Sequence, residues 1–324
     1  MKHNLIIPLA ADRTDYNKYL PEWLDMHPKG NLMLYECIRG LPLQEFDLIC
    51  PVILAKHDRQ FNAAQTIENQ FRRAGLRSRL HVIQLAEPTK SQPETVVHAI
   101  DSADISGSIY IKDGDNYFKC FPILGENSVA IYPLDSLKNV NPTNKSYIMM
   151  DDNQYISNII EKVIISRYFC AGGYGFESSE LFLSYFNKLA HYERLYTSHI
   201  IYSMILDKYM FRPSNVKDYI DWGTREEWLD FKNQYVTLFV PYSSLYNFCL
   251  CHNPDSDSII KSDLVKKLNE RYNAGKTKII ILSQYPEDYR PVIEQKLNSA
   301  GIHYHQILFG IFPNGIISSD MNKL

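Results

Sequence analysis

The stretch that decides the fold is Gly107-Ser108-Ile109-Tyr110-Ile111-Lys112-Asp113-Gly114-Asp115-Asn116. Its first half alternates β-branched and aromatic residues, a pattern typical of a buried strand. The strand then breaks into an acidic turn, and open α/β sheets build their ligand crevices at the carboxyl ends of strands. Hard oxygen ligands of this kind suit Mg²⁺, which usually takes one or two protein carboxylates and completes its shell with phosphates and water. The stretch therefore predicts an α/β sheet with a candidate metal ligand, Asp115, at a strand end.

A second acidic segment lies far along the chain, at Tyr219-Ile220-Asp221-Trp222-Gly223-Thr224. Asp221 is close to a glycine, which permits a close approach of the backbone to a neighbour or ligand. Two acids at turn-like breaks can hold one metal ion over a nucleotide. A structural interpretation stays open beside this one, because Asp-Gly and Asp-Asn are common turn formers and Asp221 can cap a helix.

The segments around these acids alternate between strand and helix patterns. Such alternation predicts a parallel sheet covered by helices on both faces, extended by shorter strands into a mixed sheet. The predicted strands cover residues 4–10, 46–54, 79–85, 109–111, 129–133, 146–150, 155–161 and 167–176. The predicted helices cover residues 31–41, 60–74, 93–102, 179–190, 193–209 and 225–235.

The last part of the chain has a second series of alternating elements. Strands are predicted over residues 237–240, 278–283 and 303–309, with helices over 259–274 and 287–300. A chain of 324 residues is expected to form about two domains. We therefore predict one domain over residues 1–234 and a smaller α/β domain over residues 235–324.

Composition narrows the class of protein. The hydrophobic content of 45% is ordinary for a globular chain, and the net charge of -3 gives no basic footprint for nucleic acid. No apolar run approaches the roughly 20 residues that span a bilayer, and the amino terminus lacks the pattern of a signal peptide. Six scattered cysteines are interpreted as reduced thiols. The expectation is a soluble, cytoplasmic protein without nucleic-acid or membrane partners.

Five short segments occur in a fixed order along residues 1–230. They are Ile6-Ile7-Pro8-Leu9-Ala10-Ala11, Gly114-Asp115-Asn116, Glu161-Lys162, Gly172-Gly173-Tyr174-Gly175 and Asp221-Trp222-Gly223-Thr224. In this order they resemble the motifs of the sugar-phosphate nucleotidyltransferases, the nucleotide-sugar pyrophosphorylases. The resemblance implies a GT-A-like, Rossmann-related mixed sheet. It also implies transfer of an NMP from an NTP to a sugar 1-phosphate or similar phosphorylated metabolite, in the supply of nucleotide sugars or capsule-type surface polysaccharide.

The resemblance also implies a set of site residues. It assigns Mg²⁺ to Asp115 and Asp221, which with Arg13 form the catalytic group. The NTP and the phosphorylated acceptor would contact Ala10, Ala11, Lys18, Lys29, Asn116, Glu161, Lys162 and Gly173. On the residues alone, Glu161-Lys162 also fits a solvated ion pair, and consecutive glycines indicate a close approach by either a ligand or a neighbouring chain segment. Homo-oligomerisation stays open.

One part of the motif set departs from the family pattern. The family's phosphate loop is glycine-rich, which lets backbone N–H groups cradle a triphosphate. This chain has Ala10-Ala11-Asp12-Arg13-Thr14-Asp15-Tyr16, its first glycine is Gly30, and Pro21-Glu22 stands where Pro-Lys is expected. We predict that residues 12–19 form no glycine-type cradle and that Arg13 with Lys18 or Lys29 supplies the charge. The alternative is a catalytically inactive binding or scaffold partner.

The C-terminal segments resemble a small haloacid-dehalogenase-like (HAD) phosphatase domain that has lost its chemistry. Ser283 matches the second motif of that family. Pro241 and Ser243 occupy the places of the nucleophile and the acid/base, and the tail keeps one acid, Asp320. Proline carries no side-chain nucleophile, and serine does not shuttle protons near neutral pH. The resemblance therefore implies a HAD-like fold without phosphatase activity.

Overall fold

A computed structural model describes residues 1–10, 20–136, 142–246 and 261–311. The chain divides into two compact units, Met1–Trp228 and Leu229–Leu324. Among the described residues, no helix has both the length and the apolar composition needed to cross a bilayer. The domain boundary between residues 234 and 235 stays a prediction.

The first unit is built on a mixed sheet. Its strands are β1 (His3–Pro8), β2 (Leu48–Leu54), β3 (Ile83–Leu85), β4 (Ser108–Lys112), β5 (Asn116–Lys119), β6 (Ser128–Pro133), β7 (Ser146–Met150), β8 (Ile156–Glu161), β9 (Tyr168–Phe176), β10 (Arg212–Asn215) and β11 (Lys217–Asp221). Nine of these described strands form one sheet in the order β10-β6-β9-β4-β1-β2-β3, with β7 pairing β8 and β9. β1, β2, β3 and β4 are parallel, and β9 runs antiparallel to β4 and β6. The predicted mixed α/β sheet is confirmed.

Six helices accompany this sheet within the described part of the first unit. They are α1 (Met33–Ile38), α2 (Ala55–Phe61), α3 (Ala63–Arg73), α4 (Gln92–Ala103), α5 (Ser179–Leu189) and α6 (Thr197–Leu206). The sequence predicted one helix over residues 60–74, but the structure has two. Asn62, with φ of 51°, lies between α2 and α3 in the left-handed conformation that ends a helix. A further helix, α7 (Arg225–Asn233), follows the second acidic segment.

The core explains why β1 is central. Leu5, Ile6 and Ile7 are all fully buried, so both faces of the strand are covered. A parallel strand covered on both faces requires a continuous apolar run, and His3–Pro8 supplies one. α4 packs against this region after a defined start, because the Ser91 hydroxyl accepts a hydrogen bond from the Glu94 amide. The carboxyl ends of β1 and β4 are therefore rigidly placed side by side.

The second unit is a three-stranded parallel sheet with helices between the strands. β12 (Val236–Pro241), β13 (Thr277–Leu282) and β14 (Gln306–Leu308) lie in that order, with α8 (Ser262–Asn273) and α9 (Arg290–Ser299) as the connections. The predicted strand–helix alternation is thus present in its described residues. Ser283 is buried after β13, where its hydroxyl accepts a hydrogen bond from the Tyr285 amide and shapes a turn. The HAD-like assignment stays a prediction, and Asp320 lies outside the described residues.

Candidate active site

The two acidic segments pair with each other. β5 and β11 run antiparallel, with Asp221 opposite Asn116, and the Trp222 amide donates a hydrogen bond to the Asp115 carbonyl at 2.8 Å. The sequence patterns had indicated turns at both places and did not predict this pairing. Backbone hydrogen bonds therefore place Asp115 beside Asp221 despite their separation in the chain.

The two carboxylates face one space. A Cβ added at Gly223 would lie 3.3 Å from Asp221 Oδ1 and 3.8 Å from Asp115 Oδ2. Glu227 Oε2 lies 3.8 Å from the same point, so the glycine lets the backbone run close to three carboxylate groups. Asp115 and Asp221, singled out as a pair in the sequence, thus lie close together at the carboxyl end of the sheet.

The donor set fits Mg²⁺. Both groups offer hard carboxylate oxygens, and an oxygen of each lies within 4 Å of the Cβ position of Gly223. Within the described ranges there is no group of three or more His, Cys, Asp or Glu side chains arranged to enclose a metal. Two carboxylates with an incomplete shell suit an ion that takes its remaining ligands from substrate phosphates and water. That the two acids share one ion stays a prediction.

A cavity of about 210 Å³ lies beside the acids. Its walls come from the ends of β1 and β4, the first turn of α4 and the segment after β11. The lining residues are Pro8, Leu9, Glu22, Trp23, Met33, Gln92, Asp113, Gly114, Asp115 and Trp222. A crevice at the carboxyl ends of adjacent parallel strands is the usual ligand position in open α/β sheets.

A buried lysine supports the loop that carries Asp115. The Lys112 ammonium donates to the Asp113 carbonyl at 2.7 Å, the Asn116 carbonyl at 3.1 Å and Asn116 Oδ1 at 2.5 Å. Burial lowers the pKa of Lys112, while nearby acidic groups, Asp113 and Asp115 among them, oppose that shift. Asn116, expected to contact substrate, is buried and its side chain serves this ammonium. The sequence analysis did not assign this role to Lys112, although a lysine inside an otherwise apolar strand could have indicated it.

Asp113 is a third carboxyl group in the loop, and it was not assigned a role from the sequence. Burial raises the pKa of Asp113 to about 6, with a further contribution from the Asp115 charge. Gln92 Nε2 donates to Asp113 Oδ1 at 2.5 Å, and Thr197 Oγ1 donates to Gln92 Oε1 at 2.6 Å. Gly172, with φ of 85°, leaves room for the carboxyl group, since a Cβ there would lie 2.4 Å from Asp113 Oδ2.

Lys145 is a second site lysine that the sequence analysis did not identify. Its ammonium lies 2.5 Å from Asp221 Oδ2 and donates a hydrogen bond to the Tyr219 hydroxyl at 3.0 Å. The side chains of Lys145 and Asp221 are 16% and 10% exposed, so solvent screens this ion pair only weakly. No local motif marks Lys145, because it precedes β7 and reaches Asp221 only through the fold.

Glu161 and Lys162 lie at the end of β8, close to the backbone of Lys145. The Lys162 amide donates to the Lys145 carbonyl at 3.0 Å, and the Lys162 ammonium donates to the Tyr196 hydroxyl at 3.1 Å. Glu161 Oε2 accepts hydrogen bonds from the hydroxyls of Ser198, at 2.9 Å, and Ser146. Both side chains thus contact the start of α6, which also positions Gln92 through Thr197.

The remaining expected contacts lie in different environments. Gly173 packs against a neighbour, because a Cβ there would lie 2.3 Å from the Tyr110 hydroxyl. Ala10 is fully buried after β1, and its carbonyl accepts a hydrogen bond from the Thr89 amide. Lys29 is on an exposed turn whose amide donates to His27 Nδ1 at 3.1 Å. Ala11, Arg13 and Lys18, and with them the predicted conformation of residues 12–19, fall outside the described residues.

Aromatic packing fixes the turn that follows Asp221. The His27 ring lies 5.5 Å from the Trp222 ring and 5.9 Å from the Trp228 ring, and Trp228 Nε1 donates to Asp25 Oδ2 at 2.9 Å. Burial lowers the pKa of His27 to about 4, so this ring is neutral at pH 7. A neutral ring packed on two indoles contributes shape to the site and no charge.

Comparison with solved structures identifies the architecture. A nucleoside-diphosphate-sugar pyrophosphorylase from Vibrio cholerae RC9 superposes with a TM-score of 0.57 at 17% identity, covering 70% of this chain and 98% of the other. The inositol-1-phosphate CTP transferase from T. maritima gives 0.55 at 10% identity, with 70% and 91% covered. A UDP-glucose pyrophosphorylase complexed with UDP-glucose gives 0.54 at 11% identity, with 72% and 98% covered. The chain has the nucleotidyltransferase fold.

No protein-family model matches the sequence, and no curated protein matches it either. At identities of 10–17% the structural likeness concerns the fold alone. Within the nucleotidyltransferase fold, Asp115 lines the cavity and Asp221 lies next to it on the neighbouring strand. Function must therefore be argued from the chemistry of these groups.

Proposed function

We propose that this chain is a Mg²⁺-dependent nucleotidyltransferase. It would transfer an NMP from an NTP to a sugar 1-phosphate or a similar phosphorylated metabolite and release pyrophosphate. The observation that carries the proposal is that the Asp115 and Asp221 carboxylates approach the same point at Gly223, with Asp115 lining a cavity in a nucleotidyltransferase fold. The names of the similar solved structures, two pyrophosphorylases and a CTP transferase, support the same reaction class.

Different residues would bind the metal ion and the phosphorylated acceptor in such a reaction. Asp115 and Asp221 would hold the ion, which when bound neutralises charge that develops on the transferred phosphoryl group. No general base is required, because the attacking phosphate is already ionised at neutral pH. Lys162, which directly follows β8, would offer a point charge to an anionic acceptor. Catalysis would then rest on positioning and electrostatics, as in other phosphoryl transfers.

The finer parts of the proposal follow from the resemblance in sequence. They are a cytoplasmic role in nucleotide-sugar or capsule-type surface polysaccharide supply, an NTP and a phosphorylated small molecule as partners, and Arg13 with Lys18 or Lys29 as phosphate ligands. Glu161 would contact the acceptor through the oxygen that does not serve Ser146 and Ser198.

A second candidate function is a catalytically inactive binding or scaffold partner of a related enzyme. The sequence favours it at one place, because no glycine occurs before Gly30 where a phosphate loop would need several. Pro241 at the end of β12 favours the same interpretation for the C-terminal unit, where a phosphatase would need a carboxylate nucleophile. Under either function we expect the full chain to leave p-nitrophenyl phosphate intact in the presence of Mg²⁺.

One experiment separates the two candidates. The full chain is incubated with Mg²⁺, each of CTP, UTP, dTTP, ATP and GTP, and a panel of sugar 1-phosphates and inositol 1-phosphate, and pyrophosphate release is measured. Turnover that D115N and D221N both abolish supports the transferase. Nucleotide binding by calorimetry without turnover in any combination supports the binding partner. Neither binding nor turnover would overturn both.

A further inference from the structure

The acidic site already contains a cation from the protein itself. The Lys145 ammonium contacts Oδ2 of Asp221, while Oδ1 of the same carboxylate faces the space shared with Asp115. We propose that Lys145 is a built-in counter-cation that competes with a divalent metal ion for Asp221 in the nucleotide-free protein. This inference rests on the metal site of the proposed function and adds a control on when that site accepts an ion.

The ammonium is held in place from two sides. Besides Asp221 it donates to the Tyr219 hydroxyl, and Tyr219 is itself buried by Tyr132 and Phe169, whose rings lie 5.5 Å and 5.3 Å from its own. Lys145 is therefore fixed on Asp221 and does not sample solvent as a surface lysine does.

The local charges show what this lysine does to the site. Asp113, Asp115 and Asp221 supply negative charge, Glu227 Oε2 lies 3.8 Å from the Gly223 Cβ position, and Lys112 and Lys145 oppose this charge. Lys112 is engaged by loop carbonyls, so Lys145 is the cation on the Asp221 carboxylate that a metal would use. A divalent ion entering alone meets a site whose negative charge is partly neutralised, and it meets a like charge at short range in a weakly screened environment.

A nucleotide changes this balance. Its phosphates bring ligands for the ion and offer the Lys145 ammonium a second anion. Metal and nucleotide are therefore expected to enter together, and the divalent ion alone is expected to bind weakly. Lys145 thus acts through Asp221 as a positioning residue that sets the order of binding.

The test measures Mn²⁺ binding to the full chain without nucleotide, from the loss of the free-ion electron paramagnetic resonance signal. K145M removes the charge and keeps an unbranched side chain of nearly the same length, so its Mn²⁺ affinity should rise about tenfold or more. K145R keeps the charge and should stay within about twofold of the wild type. K119M is the matched control, since it removes a lysine paired with Asp218 on the exposed side of the same strand pair, and it should also stay within about twofold.

Two results would overturn the proposal: Mn²⁺ affinity of K145M no higher than that of the wild type, or an equal rise in K145R. D221N in the K145M background should remove the gain in Mn²⁺ affinity, which shows that the gain depends on the Asp221 carboxylate.

A thermal melt confirms that each variant folds. If K145M does not fold, the wild-type protein is treated with an amine-labelling reagent, and mass spectrometry measures the labelling rate of Lys145. Saturating Mn²⁺ should increase that rate, because the ion displaces the ammonium from Asp221. An unchanged rate overturns the proposal. Because no turnover is measured, these results are independent of whether transferase activity is found.

Discussion

Gln92 Nε2 donates a hydrogen bond to Oδ1 of the partly buried Asp113 carboxyl group at 2.5 Å. Gln92 is held in turn by Thr197 Oγ1, so the first turns of α4 and α6 meet at the loop that carries Asp115. The amide is a neutral donor, which orients the carboxyl group without neutralising its charge. Burial and the Asp115 charge therefore prevail, and the pKa of Asp113 rises to about 6.

This raised pKa predicts a pH-dependent gain in stability for D113N. Between the unfolded pKa near 4 and the folded pKa of about 6, the native state binds more protons than the unfolded state, so the Asp113 contribution to stability falls as pH rises. Asparagine does not ionise and escapes this loss. D113N should match the wild type near pH 4 and exceed it by up to about 3 kcal/mol above pH 6.

Urea denaturation of both proteins from pH 4 to 8 checks the expected difference. D101N, at an exposed position of α4, is the control and should follow the wild type throughout. A D113N curve parallel to that of the wild type over the whole range would contradict the assignment of a raised pKa.

The room that Gly172 leaves for Asp113 predicts a large effect of a single methyl group. In G172A the new Cβ would lie 2.4 Å from Asp113 Oδ2 and 2.6 Å from Asn116 Nδ2, at a residue with φ of 85°. The steric conflict and the backbone strain together should lower the free energy of unfolding by about 3 kcal/mol.

G30A supplies a matched control, because Gly30 has φ of 87° and nothing within 4 Å of its would-be Cβ. Only backbone strain applies there, so a loss of about 1 kcal/mol is expected. Chemical denaturation measures both variants. Equal losses in the two would show that contact with Asp113 contributes nothing.

The buried ammonium under the acidic loop predicts a stability cost for K112M. Removing it leaves the carbonyls of Asp113 and Asn116 and the Asn116 side-chain oxygen without this donor in a buried environment. The free energy of unfolding should fall by about 3 kcal/mol. K119M removes a lysine that is 58% exposed and should leave the free energy of unfolding nearly unchanged. An equally small change in K112M would refute the supporting role of Lys112.

Under the proposed function, the two acids predict a shared loss of activity. D115N and D221N should each lower the rate of Mg²⁺-dependent pyrophosphate release about 100-fold or more, because each removes a charged ligand from the ion. D218N changes an exposed acid on the same strand as Asp221 and should retain activity within about twofold. Steady-state kinetics on the three variants decides this, and a variant of Asp115 or Asp221 with wild-type turnover would remove that residue from the site.

Much of the fold follows from sequence patterns alone. The apolar runs at residues 46–54 and 146–150 and the strand ending at Lys112 lie where alternation and β-branched residues placed them. The pairing of β5 with β11 did not follow, because each strand is short and their hydrogen bonds join distant parts of the chain. Local patterns report periodicity and carry no information about which distant strand is the partner.

The residues of the candidate site likewise fall into those that the sequence predicted and those that it did not. Asp115 and Asp221 were visible because acids close to glycines at turn-like breaks form recognisable local motifs. Lys145 and Gln92 were not, since each reaches its carboxylate from an element that is distant in sequence. A lysine before a strand and a glutamine at the start of a helix are common at solvated positions, and only tertiary structure turns them toward Asp221 and Asp113.

β5 and β11 form a two-stranded ribbon of their own among the described strands, with a register shift between Lys217 and Ile220. The ribbon is tied to the nine-stranded sheet through both of its strands, because the Lys112 ammonium of β4 holds Asn116 and the Tyr219 ring packs against Phe169 of β9. Backbone pairing sets the spacing of Asp115 and Asp221 across the ribbon, and these two ties set where the pair lies. The two acids are therefore ordered before any ligand arrives, so little conformational entropy is lost in ordering them when a ligand binds.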